Sequence, residues 1–158
     1  MNIVTHSDAL RLQRHFDPEH QAQCIQHLHD MFDQMRALQC SLIATVDGHR
    51  LAAAHRIEVN TARLSAIVGS LCGLGETLVR ETGHEHFRDV LITSSSGISV
   101  IQRLPSPGQR LIVLSACDSS TNLGIASNLT RRLANELARL HYSAPPYSDA
   151  PIRLQQSI

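Results

Sequence analysis

The sequence predicts an α+β domain, an α/β sandwich with five mainly antiparallel strands and three helices in the order α-β-β-α-β-β-β-α. Three segments carry apolar residues at the 3.6-residue period of a helix. Five short β-prone runs, separated by turn signals, account for the strands. Because most of these runs follow one another without β-α-β alternation, and no phosphate loop is present, a doubly wound nucleotide-binding fold is excluded.

The first helix is predicted over residues 18–38. Asp17 is a good capping residue, and Pro18 fits the first helical position because its missing N–H needs no partner there. Apolar residues then recur at helical spacing along the segment: Cys24, Ile25, Leu28, Met31, Phe32, Met35 and Leu38.

Two strands joined by a hairpin are predicted next. Residues 40–46 are apolar on both faces, which is typical of a central strand. Asp47-Gly48 predicts a tight turn, since a two-residue hairpin needs positive φ. Residues 49–55 are more polar and fit an edge strand, although their three consecutive alanines favour a helix by intrinsic propensity.

The second helix is predicted to be capped by Asn60 or Thr61 and to end near Gly83. Two strands then surround a Ser-Ser-Ser-Gly turn, and the apolar run "RLIVLSAC" predicts another central strand. A third helix follows "DSSTN". Its predicted core stripe consists of Leu123, Ala126, Leu129, Leu133, Leu137 and Leu140.

One domain is expected over residues 17–141, which is long enough to bury a core without disulfides or metals. Residues 1–16 are weakly patterned and predict a flexible arm. Residues 142–158 are rich in proline and serine and predict a disordered tail.

Composition excludes several classes of function. The formal net charge is 0 and aromatic residues make up 3%, so neither a basic nucleic-acid surface nor a base-stacking platform is expected. All the basic residues are arginines, which excludes a Walker A lysine and a Schiff-base lysine. No signal peptide or membrane insertion is predicted, so we expect a cytoplasmic protein with four reduced cysteines.

The second helix carries Gly69, Gly73 and Gly75, and each interior glycine costs about 0.5–1 kcal/mol relative to alanine. A helical wheel separates two faces. The face expected to lie on the sheet is large and apolar: Leu64, Ile67, Val68, Leu71, Leu74 and Leu78. The roughly opposite face is small and nearly uncharged: Ala62, Ser65, Gly69, Cys72, Gly73 and Glu76. Gly75 is expected on the sheet side, where it permits close helix–strand packing.

Two interpretations of the small face compete. In the first, they are exposed small residues that the helix tolerates. In the second, the backbone of another helix approaches this face closely, which only small side chains permit. The cost of the glycines and the exposed thiol of Cys72 favour the close helix contact. The simplest partner is a second copy, so a homodimer is predicted, and Gly69→Leu is expected to give a folded monomer. Glu76 is expected to pair with Arg80, or across the dimer with Arg63 or Arg80. An edge strand adds the predicted interface residues Val90, Leu91, Ile92 and Thr93.

Five ordered segments resemble the Roadblock/dynein light chain family. They are "ATVDG" with the following Ala52-Ala53-Ala54, "TARLSAIVGSLCGLGETLVRE", "DVLITSSSG", "RLIVLSA" and "TNLGIASNLTRRLANEL". The resemblance implies a profilin-like five-stranded sheet with the second helix on one face and the other two helices on the opposite face. It also implies a homodimer formed through the second helix and the strand after it.

The same resemblance implies a non-enzymatic scaffold or regulator. Bacterial single-domain members of the family typically work with a Ras-like small GTPase, sometimes accelerating its GTP hydrolysis, in polarity or signalling systems. The matching motif concerns the fold and the dimer, so no individual GTPase-contacting residue is carried over to this chain.

No motif for catalysis is found. No serine lies in a G-x-S-x-G elbow, and His27 and His29 point in different directions on a helix. Cys24 with His27, or His84 with His86, supplies too few ligands for a metal site. We therefore predict no catalytic, cofactor-binding or metal-binding residue and no enzyme. The alternative function is a small-ligand sensor with a pocket between sheet and helix; a histidine-based metalloenzyme is a remote third.

Overall fold

The eight elements occur in the predicted order. The computed structural model describes residues 18–105 and 110–143, so the predicted arm at 1–16 and the tail beyond Ser143 lie outside the described residues. The elements are α1 (Pro18–Gln34), β1 (Leu38–Thr45), β2 (Arg50–His55), α2 (Thr61–Glu81), β3 (Asp89–Ser94), β4 (Gly97–Arg103), β5 (Leu111–Asp118) and α3 (Leu123–Ser143). α3 includes the first two residues of the segment predicted as tail.

The strands form one five-stranded sheet in the order β2-β1-β5-β4-β3, and every neighbouring pair is antiparallel. β1 and β5 lie in the interior and are almost wholly buried, which explains why their sequences are apolar on both faces. β2 and β3 are the two edges. The predicted central and edge positions are therefore confirmed.

Helices cover both faces of the sheet. One core cluster joins α1 and α3 to the sheet and includes Leu28, Ile43, Val113 and Leu137, all at most 3% exposed. A smaller cluster on the opposite face joins α2 to Leu42, Ile101 and Ile112. The predicted layering, with one helix on one face and two on the other, is confirmed.

α1 ends at Gln34, before the predicted Leu38, because the chain turns there into β1. The side chain of Arg56, just after β2, binds the backbone at the C-terminal end of α1. It donates hydrogen bonds to the carbonyl oxygens of Phe32 (2.8 Å), Met35 (3.2 Å), Arg36 (2.8 Å) and Leu38 (2.7 Å). The same guanidinium group lies 4.9 Å from the centre of the Phe32 ring. The guanidinium group thereby holds together the last turn of α1 and the segment that leads from it into β1.

The β1–β2 hairpin and the ends of α2 follow the sequence signals. Gly48 has φ +91°, which a side-chain-bearing residue rarely adopts, and Gly83 after α2 has φ +74°. The side chain of Asn60 caps α2 by accepting a hydrogen bond from the backbone N–H of Arg63 at 3.0 Å. In α3 the predicted core stripe packs as expected except for Leu123, which is 38% exposed at the helix start.

Candidate interaction surface

α2 lies on the sheet by a side that includes Val68, as predicted, together with three residues that the sequence predicted to point outward. Ser65 and Cys72 are 0% exposed, and Gly69 is buried with them. Ile67, Leu74 and Leu78, predicted to lie on the sheet, are instead 46%, 67% and 64% exposed. The prediction that Ser65, Gly69 and Cys72 contact a second helix is therefore wrong.

The physical reason is a close contact between α2 and the β1–β2 hairpin. A Cβ atom on Gly69 would lie 3.0 Å from the backbone nitrogen of Gly48 and 3.0 Å from the carbonyl oxygen of Val46. A Cβ on Gly48 would lie 3.0 Å from the Cα of Ala66. The close backbone approach that small residues permit does occur, but its partner is this chain's own hairpin. A leucine at Gly69 would thus disturb the fold itself.

The other members of the predicted small face are divided. Ala62 and Gly73 are exposed, and a Cβ on Gly73 would meet no atom within 4 Å. Glu76 forms an ion pair with Arg103 of β4, with the two side chains 35% and 19% exposed. This pair replaces the expected partners of Glu76, Arg80 and Arg63.

An apolar stripe runs along the outer side of α2 instead. Its members are separated alternately by three and four residues: Leu64, Ile67, Leu71, Leu74 and Leu78. Leu64 and Leu71 are half-buried against the smaller core cluster beneath α2, while the other three are exposed. Apolar residues at this spacing line one face of any amphipathic helix, so the spacing alone does not say whether that face meets the sheet or another helix.

β3 continues the apolar surface at the edge of the sheet. Val90 is half-buried against the core beneath α2, whereas Leu91 and Ile92 are 44% and 42% exposed and Thr93 is exposed. Within the described residues β3 pairs with β4 alone, so one side of its backbone is free to pair. Ile92 lies on the α2 face of the sheet with Val90, whereas Leu91 pairs with Val100 of the other core cluster and points to the opposite face. We call the four exposed residues on the α2 face the outer α2–β3 surface: Ile67, Leu74, Leu78 and Ile92.

An open apolar groove of about 320 Å³ separates the second half of α2 from β3. Leu71, Leu74, Gly75 and Leu78 form its helix side, and Phe87 and Val90 form the opposite side. A Cβ on Gly75 would come 2.5 Å from Cε2 of Phe87, so glycine here lets the ring lie directly against the helix. Gly75 thus permits close packing as predicted, although against the segment before β3. No sequence signal pointed to Phe87.

The described cysteines, histidines and carboxylates show no arrangement that indicates catalysis or metal binding. Burial raises the pKa of the Cys72 thiol to about 11, and it raises the pKa values of Cys24 and Cys117 to the same value. Such thiols are protonated and unreactive at neutral pH. Among residues 18–105 and 110–143, no group of three His, Cys, Asp or Glu side chains is placed to hold a metal ion.

α2 is also the one described helix that is long and apolar enough, by length and composition, to cross a bilayer. Core helices of soluble proteins pass the same test. Here one side of α2 packs on the sheet through Ser65, Val68 and Cys72, and the opposite side is the apolar stripe. The high hydropathy of α2 therefore reflects two apolar sides, one of which is largely uncovered by residues 18–105 and 110–143.

Comparisons with known proteins identify the fold. No family model matches the chain, and no curated protein matches it. A solved structure described as MglB with a tetrameric arrangement superposes with a TM-score of 0.69 at 16% identity, covering 78% of this chain and 91% of that one. The structure of the gliding protein MglB from Thermus thermophilus superposes with a TM-score of 0.64 at 15% identity, covering 80% of this chain and 91% of that one.

A Roadblock/LC7 domain from Streptomyces avermitilis superposes with a TM-score of 0.63 at 11% identity, covering 73% of this chain and 93% of that domain. At such identities the likeness concerns the backbone architecture. It agrees with the element order, the sheet order and the placement of the helices described above. The chain therefore has a Roadblock/LC7-type fold, as the resemblance of its sequence segments implied.

Proposed function

We propose that this protein is a homodimeric, non-enzymatic regulator or scaffold of a Ras-like small GTPase that acts in the cytoplasm. The observation that carries the proposal is the outer α2–β3 surface, on which three helix residues and Ile92 of β3 expose large apolar side chains on the same face of the sheet. A contiguous apolar surface of this kind marks a protein interaction site.

The first partner is a second copy. A two-fold axis beside α2 and β3 brings the same surface of both copies together, which covers the exposed stripe and gives the free edge of β3 a strand to pair with. The four side chains are 42–67% exposed in one chain, so burying each of them contributes only part of the about 1.5–3 kcal/mol of a fully exposed side chain. Their sum in two copies favours association and offsets the entropy lost when the copies join. Of the predicted interface residues, Val90, Leu91, Ile92 and Thr93 remain in this proposal.

The second partner, a Ras-like GTPase, is proposed from the Roadblock resemblance and is supported by the structural likeness to MglB, one example of which is described as a gliding protein. Regulation would consist of binding one conformation of the GTPase switch segments more tightly than the other, which shifts their populations. In that mechanism faster GTP hydrolysis needs no catalytic side chain from this chain.

Light scattering and a GTPase assay test the two parts separately. The purified protein is expected at dimer mass, and Leu74→Ser with Leu78→Ser is expected at monomer mass with unchanged circular dichroism. Ile57→Ser is the matched control and should stay dimeric. Ile57 lies in the loop after β2, and its side chain is 47% exposed.

A small GTPase encoded near this gene is the partner to assay. Co-purification with it, or a changed rate of GTP hydrolysis that the Leu74/Leu78 variant loses, supports the regulator. A protein that neither binds such GTPases nor changes their rates, and that a small ligand stabilises against heat, would instead support the ligand-sensor alternative.

A further inference from the structure

We propose that the homodimer binds an amphipathic helix of another protein, with acidic residues on both sides of its apolar stripe, in a trough on the α1–α3 face of the sheet. The floor of the trough is β3 of both copies, and its two walls are α3 of each copy. This inference rests on the proposed homodimer, because a single copy supplies one wall and half of the floor. The trough lies on the face of the sheet opposite to α2.

The two helices of this face are too narrow to cover the whole sheet. Five strands at a spacing of about 4.8 Å span about 24 Å, whereas two packed helices span about 20 Å. α1 packs on β2 and β1, and α3 packs on β4 and β5. The remaining strand, β3, therefore lies at the margin of this helical layer.

The side chains of β3 show that this margin is open. Leu91 lies directly opposite Val100, and Thr93 lies opposite Ile98; both β4 residues pack in the core cluster beneath α1 and α3. Opposed residues of an antiparallel pair point to the same face, so Leu91 and Thr93 also point to the α1–α3 face. Val100 is 0% exposed, whereas Leu91 is 44% exposed and Thr93 is exposed with it. Residues 18–105 and 110–143 thus leave the apolar side chain of Leu91 largely uncovered beside the core.

Pairing of the two β3 edges converts this margin into a trough. A two-fold axis normal to the sheet leaves every side chain on its own face, so Leu91 of both copies lies on the floor. The uncovered strip is then two strands, or about 10 Å, wide, which matches the diameter of one α-helix. β3 has six residues and is about 20 Å long, so a helix of about fourteen residues fills the trough.

One arginine on each wall determines the charge of the helix that fits. Arg132 and Glu136 of α3 line the crevice toward α1. Arg131 is exposed and lies about 100–140° around the helix from these two, on the flank toward β3. It shares this flank with Ala134 and Ala138, whose short side chains are buried. Because Arg131 of each copy stands beside the trough, a helix with acidic residues on both flanks is favoured.

The one carboxylate of β3 already has a cationic partner. Asp89 begins the strand opposite Gln102, so its side chain belongs to the same face as Leu91. Its Oδ2 atom lies 3.7 Å from Nε of Arg88. Asp89 therefore does not cancel the positive charge of the walls. An apolar floor between two arginine-bearing walls is suited to the helix-in-groove mode of recognition.

Two synthetic helical peptides of about fourteen residues test the trough. Both carry a fluorescein label and the same stripe of leucines at helical spacing; one has glutamates on both sides of the stripe, and the other has lysines. Fluorescence anisotropy with the full-length dimer is expected to show that the glutamate peptide binds about tenfold more tightly or better. Calorimetry is expected to give one glutamate peptide per two chains, because the trough lies on the two-fold axis.

Variants of the wall and the floor locate the peptide. Arg131→Glu is expected to reverse the preference between the two peptides. Arg132→Glu is the matched control, since it makes the same charge change on the α1 side of α3 and should keep the wild-type preference. Leu91→Ser is expected to weaken binding of the glutamate peptide by about tenfold. Light scattering and circular dichroism of each variant verify the dimer and the fold; if Leu91→Ser is monomeric, Arg131→Glu decides.

The outcomes separate the trough from the homodimer. A wild-type protein of monomer mass at all concentrations overturns both. A wild-type dimer that binds neither peptide, binds both equally or takes two glutamate peptides leaves the homodimer standing and overturns the trough. Binding of the glutamate peptide that Arg131→Glu does not weaken places the peptide elsewhere on the protein and overturns the trough as well.

Discussion

Gly69 of α2 lies directly against the turn that follows β1, where an added Cβ atom would be 3.0 Å from the carbonyl oxygen of Val46. At that distance backbone meets backbone, so neither side can move by rotating a side chain. Gly69 destabilises an isolated helix, but it allows α2 to lie against the hairpin. The opposite side of α2, which carries the apolar stripe, is turned outward as a result.

Gly69→Ala is expected to destabilise the protein by about 1–3 kcal/mol, because α2 and the hairpin must separate to admit the methyl group. Gly73→Ala is the matched control, since a Cβ there would meet no atom within 4 Å. That change should stabilise α2 by about 0.5–1 kcal/mol. Urea unfolding of both variants gives the two free energies, and a Gly69→Ala protein as stable as Gly73→Ala would contradict the contact.

The sequence predicted the architecture because each element carries its own local signal. Asp47-Gly48 marked the hairpin and Asn60 marked the start of α2, and both depend on interactions within a few residues. The alanines of β2 were ambiguous by propensity. Burial of Ala52 and Ala54 beneath α1 decides in favour of a strand.

The orientation of α2 could not be predicted from hydrophobicity alone. The wheel separated a large apolar face from a small one, and the ordinary rule places the large face inside. That rule fails here because Gly69 contacts the hairpin backbone, a relationship between residues about twenty positions apart that no local pattern records. The groove could not be predicted from local sequence patterns either, because it forms only where the ring of Phe87 packs against Gly75.

Arg56→Ala is expected to destabilise the protein by about 2–3 kcal/mol. Its guanidinium group donates hydrogen bonds to four carbonyl oxygens between the last turn of α1 and the start of β1, and the substitution removes all four bonds. Arg56→Lys should recover only part of the loss, because an ammonium group lacks the planar fork. Arg36→Ala, at an exposed position one turn from Phe32, is the control for lost charge. Thermal unfolding by circular dichroism provides the comparison; equal melting temperatures would exclude the capping role.

Stability is expected to fall between pH 9 and pH 11. Burial raises the pKa values of Cys24, Cys72 and Cys117 from 9.0 to about 11. Well below pH 9 each thiol is protonated in the folded and in the unfolded protein, so its pKa does not affect stability. Between pH 9 and pH 11 the thiols of the unfolded chain ionise before those of the folded chain. This difference lowers the free energy of unfolding, by about 2–3 kcal/mol per thiol once pH 11 is reached. Urea unfolding across this range should show the decline, and Cys72→Ala should reduce its slope. A free energy of unfolding that is flat from pH 8.5 to pH 11 would contradict it.

Glu76→Ala is expected to destabilise the monomer by about 1–3 kcal/mol, because it leaves the guanidinium group of Arg103 in a largely buried position without its carboxylate. Arg103 also lies 6.0 Å from the centre of the Phe87 ring, so its displacement should loosen the wall of the groove and weaken self-association. Glu58→Ala removes an exposed carboxylate in the loop before α2 and should change neither property. Urea unfolding and sedimentation measure the two effects separately. A Glu76→Ala protein that loses stability yet dimerises with wild-type affinity would show that the ion pair supports the fold without shaping the groove.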